Sequence, residues 1–503
     1  MRAPVITREM IGRGFGWDTY EDGLETDGGV DVRMFTSFSE AITVIGSLTK
    51  TLLIPNIQTI TANETVPSNI TLSVPQSGRI NINTGIVLTL QGTIEAGNYQ
   101  IFGGAGFTDT NQTPGKLNIC WFPGSSFNDK WDSMINQWGT GYINRTVIVP
   151  RVPIGNPAAI NTVTDKYAWK LDGSWEIDGP CNNLTVICEG RFFVEAASGV
   201  TNALVFTTSD KVEEVSFPRG VRIDCNGEAT TGVLIQGGSR IYFGEMIRIH
   251  DCVNGVVINT TISTLSEIQI DRIYVGTYSG SAVLLNGNNT ALMQITISDI
   301  FAEVTQSDSC RVLEIIGRVP NFIIGHVGGK KHVDLGTNEM QYGILLSANA
   351  DGAPAYSRSN IFSAHFDFVG VAIKTEDLSG TAAVKISELD VGPIHAGNCT
   401  TLADLSYAKR CRFEFIDVDD PITIAADCED LTIHTRKDIA ALVTDNGVRT
   451  RINNCGHIIG SAATEPTTGN WEVGELVEVT ADNKVYLKTS HTGVDAVDFI
   501  VLN

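Results

Sequence analysis

Six short apolar segments recur along the middle of this chain: Gly232–Gly237, Gly255–Thr260, Ala282–Gly287, Arg311–Ile316, Gly343–Ala348 and Gly370–Thr375. Their start-to-start steps are 23, 27, 29, 32 and 27 residues. A second segment recurs between them, at Ile247–Ile249, Ile268–Ile270, Ile295–Ile297 and Phe322–Ile324, and continues as Val384–Ile386 and Phe413–Phe415. Both alternate apolar with other residues at period two, as strands with one buried face do. No single repeat of this kind can bury its own apolar face, whereas a stack of repeats makes one continuous core.

The kind of stack follows by exclusion. No Leu-x-x-Leu-x-Leu frame marks leucine-rich repeats, and no strict Gly-Gly-x-Gly period marks a calcium-binding array. Irregular coils of 23 to 32 residues, rich in Val, Ile, Thr and Asn, predict an all-β chain, a right-handed parallel β-helix from about residue 51 to 435. Coil length varies because turns lengthen outward without disturbing the stack, and function is expected on those turns.

The 503 residues include 50 Gly and only 18% charged residues, a composition suited to strands and turns. The formal net charge of −22 disfavours nucleic acid, anionic membranes and strongly anionic ligands, unless basic residues gather locally. None of the ten cysteines forms a Cys-x-x-Cys pair, so no zinc site is expected. Several lie beside strand segments and read as small core residues of a chain made in a reducing compartment. No metal or cofactor is expected. The N-terminal segment has no signal-peptide apolar run, and no apolar run approaches membrane-spanning length. An exported enzyme would need another route out of the cell; a virion protein released by lysis would not.

In chain order, residues 1–50 read as an attachment arm, to about residue 35, followed by a short capping helix within Thr36–Gly46. Ser37 or Ser39 would cap that helix and Gly46 would end it. Residues 51–115 hold the first β-helix coils. Residues 116–145 are an insertion with a helix-like run at Asp129–Trp138. The main β-helix spans 146–454, its last part from 436 serving as a closing segment, and 455–503 form a small β unit.

The run Thr51–Leu72, with Gly92–Gly97 and Tyr99–Gly104 after it, resembles the first coils of pectate-lyase-superfamily β-helix proteins, which are common among bacteriophage tailspikes. The Trp121–Phe122 insertion leading to Val147–Pro150 continues the likeness, and Thr467–Val477 is similar to a small β module that often ends such chains. Two departures are Pro123–Asp129, where many relatives carry Gly-Asp-Gly-x-x-Asp-Asp, and Tyr486, where that module has a Trp-x-Cys. The resemblance implies a homotrimeric tailspike on a virion tail, acting at the host cell surface. It would be joined to a tail, baseplate or adaptor protein through the N-terminal arm, and would bind host surface polysaccharide and degrade it. A non-catalytic adhesin on the same scaffold, and a bacterial polysaccharide lyase or hydrolase outside any virion, are the alternatives, because this fold hosts all three.

Stacking the second strand segments aligns a polar column: Asp251, Arg272, Asp299, His326, then Glu388 and Asp417, with the phase at His365–Asp367 left open. Coils about 4.8 Å apart would put Asp251 and Asp299 roughly 9.5 Å apart, near the upper end of the spacing of inverting glycosidases. They are the acid/base candidates, with His326 in support and Asp367 and Glu388 completing the catalytic set. Against this stands a structural ladder, since Arg272 would fall between the two aspartates and pair with both, and Asp is an ordinary turn residue. Lys330, Lys331 and His332 could meet an anionic sugar or form a solvated loop. Trp121, Trp131, Trp138, Trp175 and Tyr278 are candidates for sugar stacking or for packing.

Overall fold

A computed structural model describes residues 29–454 except 111, 136–141, 153–157, 161–167, 180, 197–198, 208–211, 260–264, 288–293, 305–308, 320, 332–339, 350–354, 379–384, 417–418 and 436–441. Beyond 459 it describes the strands Gly460–Ala462, Leu476–Val479, Lys484–Lys488 and Phe499–Leu502, which form a sheet of their own. The fold is the expected all-β, right-handed parallel β-helix. It divides into two compact units, Met1–Cys252 and Val253–Asn503.

In the first unit, each early coil contributes one strand to each of three parallel sheets. One sheet contains Lys50–Leu53, Ile70–Ser73 and Ile94–Glu95. A second contains Ile57–Ile60, Arg79–Ile82 and Phe102–Gly104, and the third Glu64–Val66, Val87–Leu90 and Phe107–Asp109. Inward Leu52, Leu72, Ile80, Ile82, Leu88 and Leu90 are at most 1% exposed, which is the physical content of the period-two pattern.

The arm ends earlier than expected. Val30–Asp31 already pairs with Leu52–Leu53, and Val32–Met34 forms a 3₁₀ turn. Val30 and Val32 are buried, and buried Asp31 binds Arg33 at 2.5 Å. The rest of the arm, residues 1–28, lies outside the described residues. The helix follows at Phe38–Ile45, with Phe38, Ala41, Ile42 and Ile45 buried. Ser37 Oγ accepts from the Glu40 amide at 3.1 Å, and the Glu40 carboxylate accepts from the Thr36 amide at 2.6 Å. This reciprocal capping fixes the start, and Gly46, at φ +55°, ends the helix.

The insertion carries a helix at Phe127–Ile135, two residues earlier than expected at its start. Ser126 Oγ accepts from the Asp129 amide at 3.0 Å, while Asp129 accepts from the Ser125 and Ser126 amides. Asn128 Nδ2 donates to the Ser174 carbonyl at 2.8 Å and Trp131 Nε1 to the Glu176 carbonyl at 3.2 Å, so the helix is bolted to a coil turn. Phe127 and Trp131 of the helix stack on each other and pack edge-to-face on Trp175 below, and Trp175 meets Phe192 and Phe217 tilted or edge-to-face, with ring centroids 4.8 to 6.0 Å apart.

The second unit repeats two strand types. One parallel sheet contains Asn254–Asn259, Ser281–Gly287, Arg311–Gly317, Met340–Ala348, Val369–Asp377, Thr401–Leu405, Ile422–Ile424 and Val443–Asp445. The other contains Ser266–Tyr278, Ile295–Val304, Phe322–Lys331, Ile386–Gly397 and their successors to Arg451–Asn454. Val443–Asp445 and Arg451–Asn454 are thus ordinary coil strands, and the stack runs past 435 to Asn454 rather than ending in a separate closing segment.

Nine cysteines are free and buried among the described residues. That agrees with their reading as small core residues.

Candidate functional site

Each long strand of the second unit turns a corner where two successive side chains face outward between buried ones. Ser298–Asp299 lies between Ile297 and Ile300, Gly325–His326 between Ile324 and Val327, and Phe362–Ser363 between Ile361 and Ala364. Beyond the corner, alternation resumes and alternate residues again face outward. Pairing places Arg272 against Asp299 and Asp299 against His326. The next coil extends this column with Ser363, since Val327 pairs with Ala364. A second column runs Tyr274, Phe301, Gly328, His365, His395, and a third runs Glu303, Lys330, Asp367, Gly397.

The middle column holds two ring pairs with a glycine between them. Tyr274 and Phe301 stack at 5.8 Å, nearly parallel at 16°, and His365 lies over His395 at 4.6 Å. Between the two pairs stands buried Gly328, where a Cβ would sit only 3.2 Å from both Phe301 Cδ2 and His326 Nε2, so the Phe301 ring and the His326 imidazole close over the glycine. Glu303 accepts from Tyr274 Oη at 2.6 Å, with Lys330 Nζ 3.7 Å away and 5.8 Å from the Phe301 ring centre. Asp367, in the same column, is 3.8 Å from His365 Nε2.

On the corner column, Asp299 is 3.3 Å from Arg272 Nε. Ser363 Oγ donates to the Gly325 carbonyl at 3.2 Å and is 2.9 Å from His326 Nδ1. A hydroxyl has one proton, so with it on Gly325, His326 Nδ1–H donates to Ser363. His326 Nε2 then lies on the side toward Gly328.

The expected residues are therefore partly brought together. Asp299 and His326 are neighbours, and Asp367 lies two columns away. Glu388 does not join them. It lies in the irregular stretch of Ile386–Gly397, at φ +60°, and binds Arg410 at 3.3 Å. The phase slips there because the preceding coil breaks into two strands, Ala355–Ile361 and Ala364–Asp367. Asp251 belongs to the first unit, at φ +54° near the end of Ile247–Cys252, and its carbonyl accepts from the Gly227 amide at 2.8 Å. Asp251 and Asp299 thus fall in different units. Asp417, His332 and Trp138 lie outside the described residues.

Trp121, Trp131, Trp175 and Tyr278 are at most 4% exposed and belong to the core. The aromatics that face outward, Tyr274 and Phe301, were missed. Both stand two residues after a column member, in the strand frame that Arg272 and Asp299 already define.

The first unit holds a second cluster, also missed. Arg222 pairs with Arg248, and Arg191 stands opposite Arg222 because Phe192 pairs with Ile223. The frame Arg-x-Phe, Arg-x-Asp, Arg-x-His at 191, 222 and 248 was the signal for it. Among the described residues, no group of three or more His, Cys, Asp or Glu is placed to hold a metal ion. No protein-family model matches the chain, and a search of curated proteins finds no significant relative.

Proposed function

We propose that this chain is a tailspike-type receptor-binding protein of a phage virion, a homotrimer that holds host surface polysaccharide along the outward columns of its second unit. The observation that carries this reading is the stacked Tyr274–Phe301 pair, whose rings lie 5.8 Å apart at 16° on the outward side of neighbouring coils. Glu303, Lys330 and Asp367 in the next column can hydrogen-bond hydroxyls. Glycan sites combine apolar faces with a few placed polar groups in this way. Regular coils let one chain of sugars lie across several columns at once. His326 Nε2 is the group that would take a proton from bound glycan or water, with the Asp299 carboxylate beside it to stabilise the imidazolium. The Arg272–Asp299 ion pair favours the adhesin reading instead, since it already engages that carboxylate.

Phe301→Ala is the discriminating variant. It removes one ring of the outward pair, and Phe301 is only half-buried. Binding of the recognised polysaccharide should weaken at least about tenfold, roughly 1.4 kcal/mol, with little change in the melting temperature. Unchanged affinity in a folded variant would remove the ring pair from the proposal. Sedimentation should give a trimer; a stable monomer would contradict that part.

A further inference from the structure

On a chain of net charge −22, five arginines of the first unit converge on one surface. A cleft of about 70 Å³ is lined by Arg191, Phe193, Arg222, Asp224, Arg248 and His250. A larger cavity, about 330 Å³, shares Arg222 and adds Arg151 and Arg219, with Glu189 and Glu245. We infer that the arginine cleft is a binding site for an oxyanion, a carboxylate or sulfate group.

Three observations support this. The column Arg191, Arg222, Arg248 is set by strand register, so the three residues leave the backbone about one coil, ~4.8 Å, apart, and all three line the cleft. The acids on this surface offset only part of the charge: Glu189 is taken up by Arg219 at 2.9 Å, and Asp224 Oδ1 accepts from the Asn226 amide at 3.0 Å. Arg248 Nε donates to His250 Nε2 at 2.9 Å, which leaves that nitrogen unprotonated and holds the Arg248 fork in place. Burial, and then the charges of Arg222, Arg248 and Arg151, hold the Arg191 guanidinium below its ordinary value. Like charges held together in a folded state are relieved by a shared counter-ion, and a guanidinium fork can pair with the two oxygens of a carboxylate or with two of the four oxygens of a tetrahedral sulfate. The small cleft has room for such a group of a few heavy atoms, and the larger cavity has room for what the group is attached to. This site does not depend on the Tyr274–Phe301 surface of the second unit, and its test needs no polysaccharide.

The test uses the full chain, with sodium sulfate, sodium glucuronate and neutral glucose as probes, and sodium chloride as the ionic-strength control. Calorimetric titration should give saturable binding of sulfate, glucuronate or both, and none of glucose. Arg222→Gln should weaken it about tenfold or more, and its melting temperature without anion should match or exceed that of the parent, because a like charge has been removed. Tighter sulfate than glucuronate would point to a sulfated or free inorganic ligand, and the reverse to an acidic sugar; either supports an oxyanion site. Three results would overturn the inference. These are no saturable binding of either anion beyond the chloride control, equal binding by Arg222→Gln, or a clear drop in melting temperature for Arg222→Gln, which would make the column a structural ladder.

Discussion

Raising the pH from about 8 to about 10 is expected to cost the folded chain most of its stability, because its buried thiols cannot give up their protons. Cys120, Cys181, Cys399 and Cys411 are each pushed up to about 12, and Cys428 to about 11, with burial the largest cause in every case. Burial also raises Cys188, and a hydrogen bond with Cys252 together with burial raises Cys225. A thiol with a raised folded value keeps its full contribution below its unfolded value, near 8.5, and loses it as pH rises toward the folded value. Each thiol withdraws about 1.4 kcal/mol per pH unit in that window, so five withdraw roughly 7 kcal/mol per unit. A domain's whole stability is about 5–15 kcal/mol.

Buried Lys130, its ammonium lowered to about 8 by burial, works the other way: its contribution rises between pH 8 and its unfolded value near 10.4. It is one group against several. Melting curves in reductant at pH 7.5, 9 and 10 should show the midpoint falling by roughly 10 °C or more. At neutral pH the nine described cysteines should stay silent to a thiol reagent until denaturant is added. A midpoint constant from pH 8 to 10 would contradict their burial.

The second large effect concerns the insertion. Trp175 is fully buried and touches Phe127, Trp131, Phe192 and Phe217, so it joins the helix Phe127–Ile135 to the coil below. Trp175→Ala leaves a cavity that these rigid rings cannot close. The expected cost is about 3–5 kcal/mol, read as a lower urea midpoint and a loss of near-ultraviolet dichroism. A cost below about 1 kcal/mol would mean that the aromatic cluster collapses around the gap, against the close packing described here.

Period-two alternation made the coils legible, because every inward Val, Ile or Leu marks its own strand. The Asp299–His326 adjacency was legible for the same reason: both follow their last apolar residue by the same step. Glu388 was misplaced because the split at Phe362–Ser363 shifts the phase, and no sequence signal marks where a coil takes its corner. The arginine column was overlooked because an outward Arg on a strand is locally unremarkable. Its meaning comes from Arg191, Arg222 and Arg248 meeting across coils. The Tyr274–Phe301 pair was overlooked for a related reason, since the two rings meet only across coils.

The most direct test is a solution array of bacterial capsular and lipopolysaccharide glycans, probed with the full chain and with Phe301→Ala. Binding to one structurally related group of polysaccharides is expected, reduced at least about tenfold in the variant. Shortening of that polysaccharide on incubation would add catalysis, and binding without shortening would make the protein an adhesin. No binding across a broad array, or equal binding by a folded Phe301→Ala protein, would contradict the proposed glycan surface.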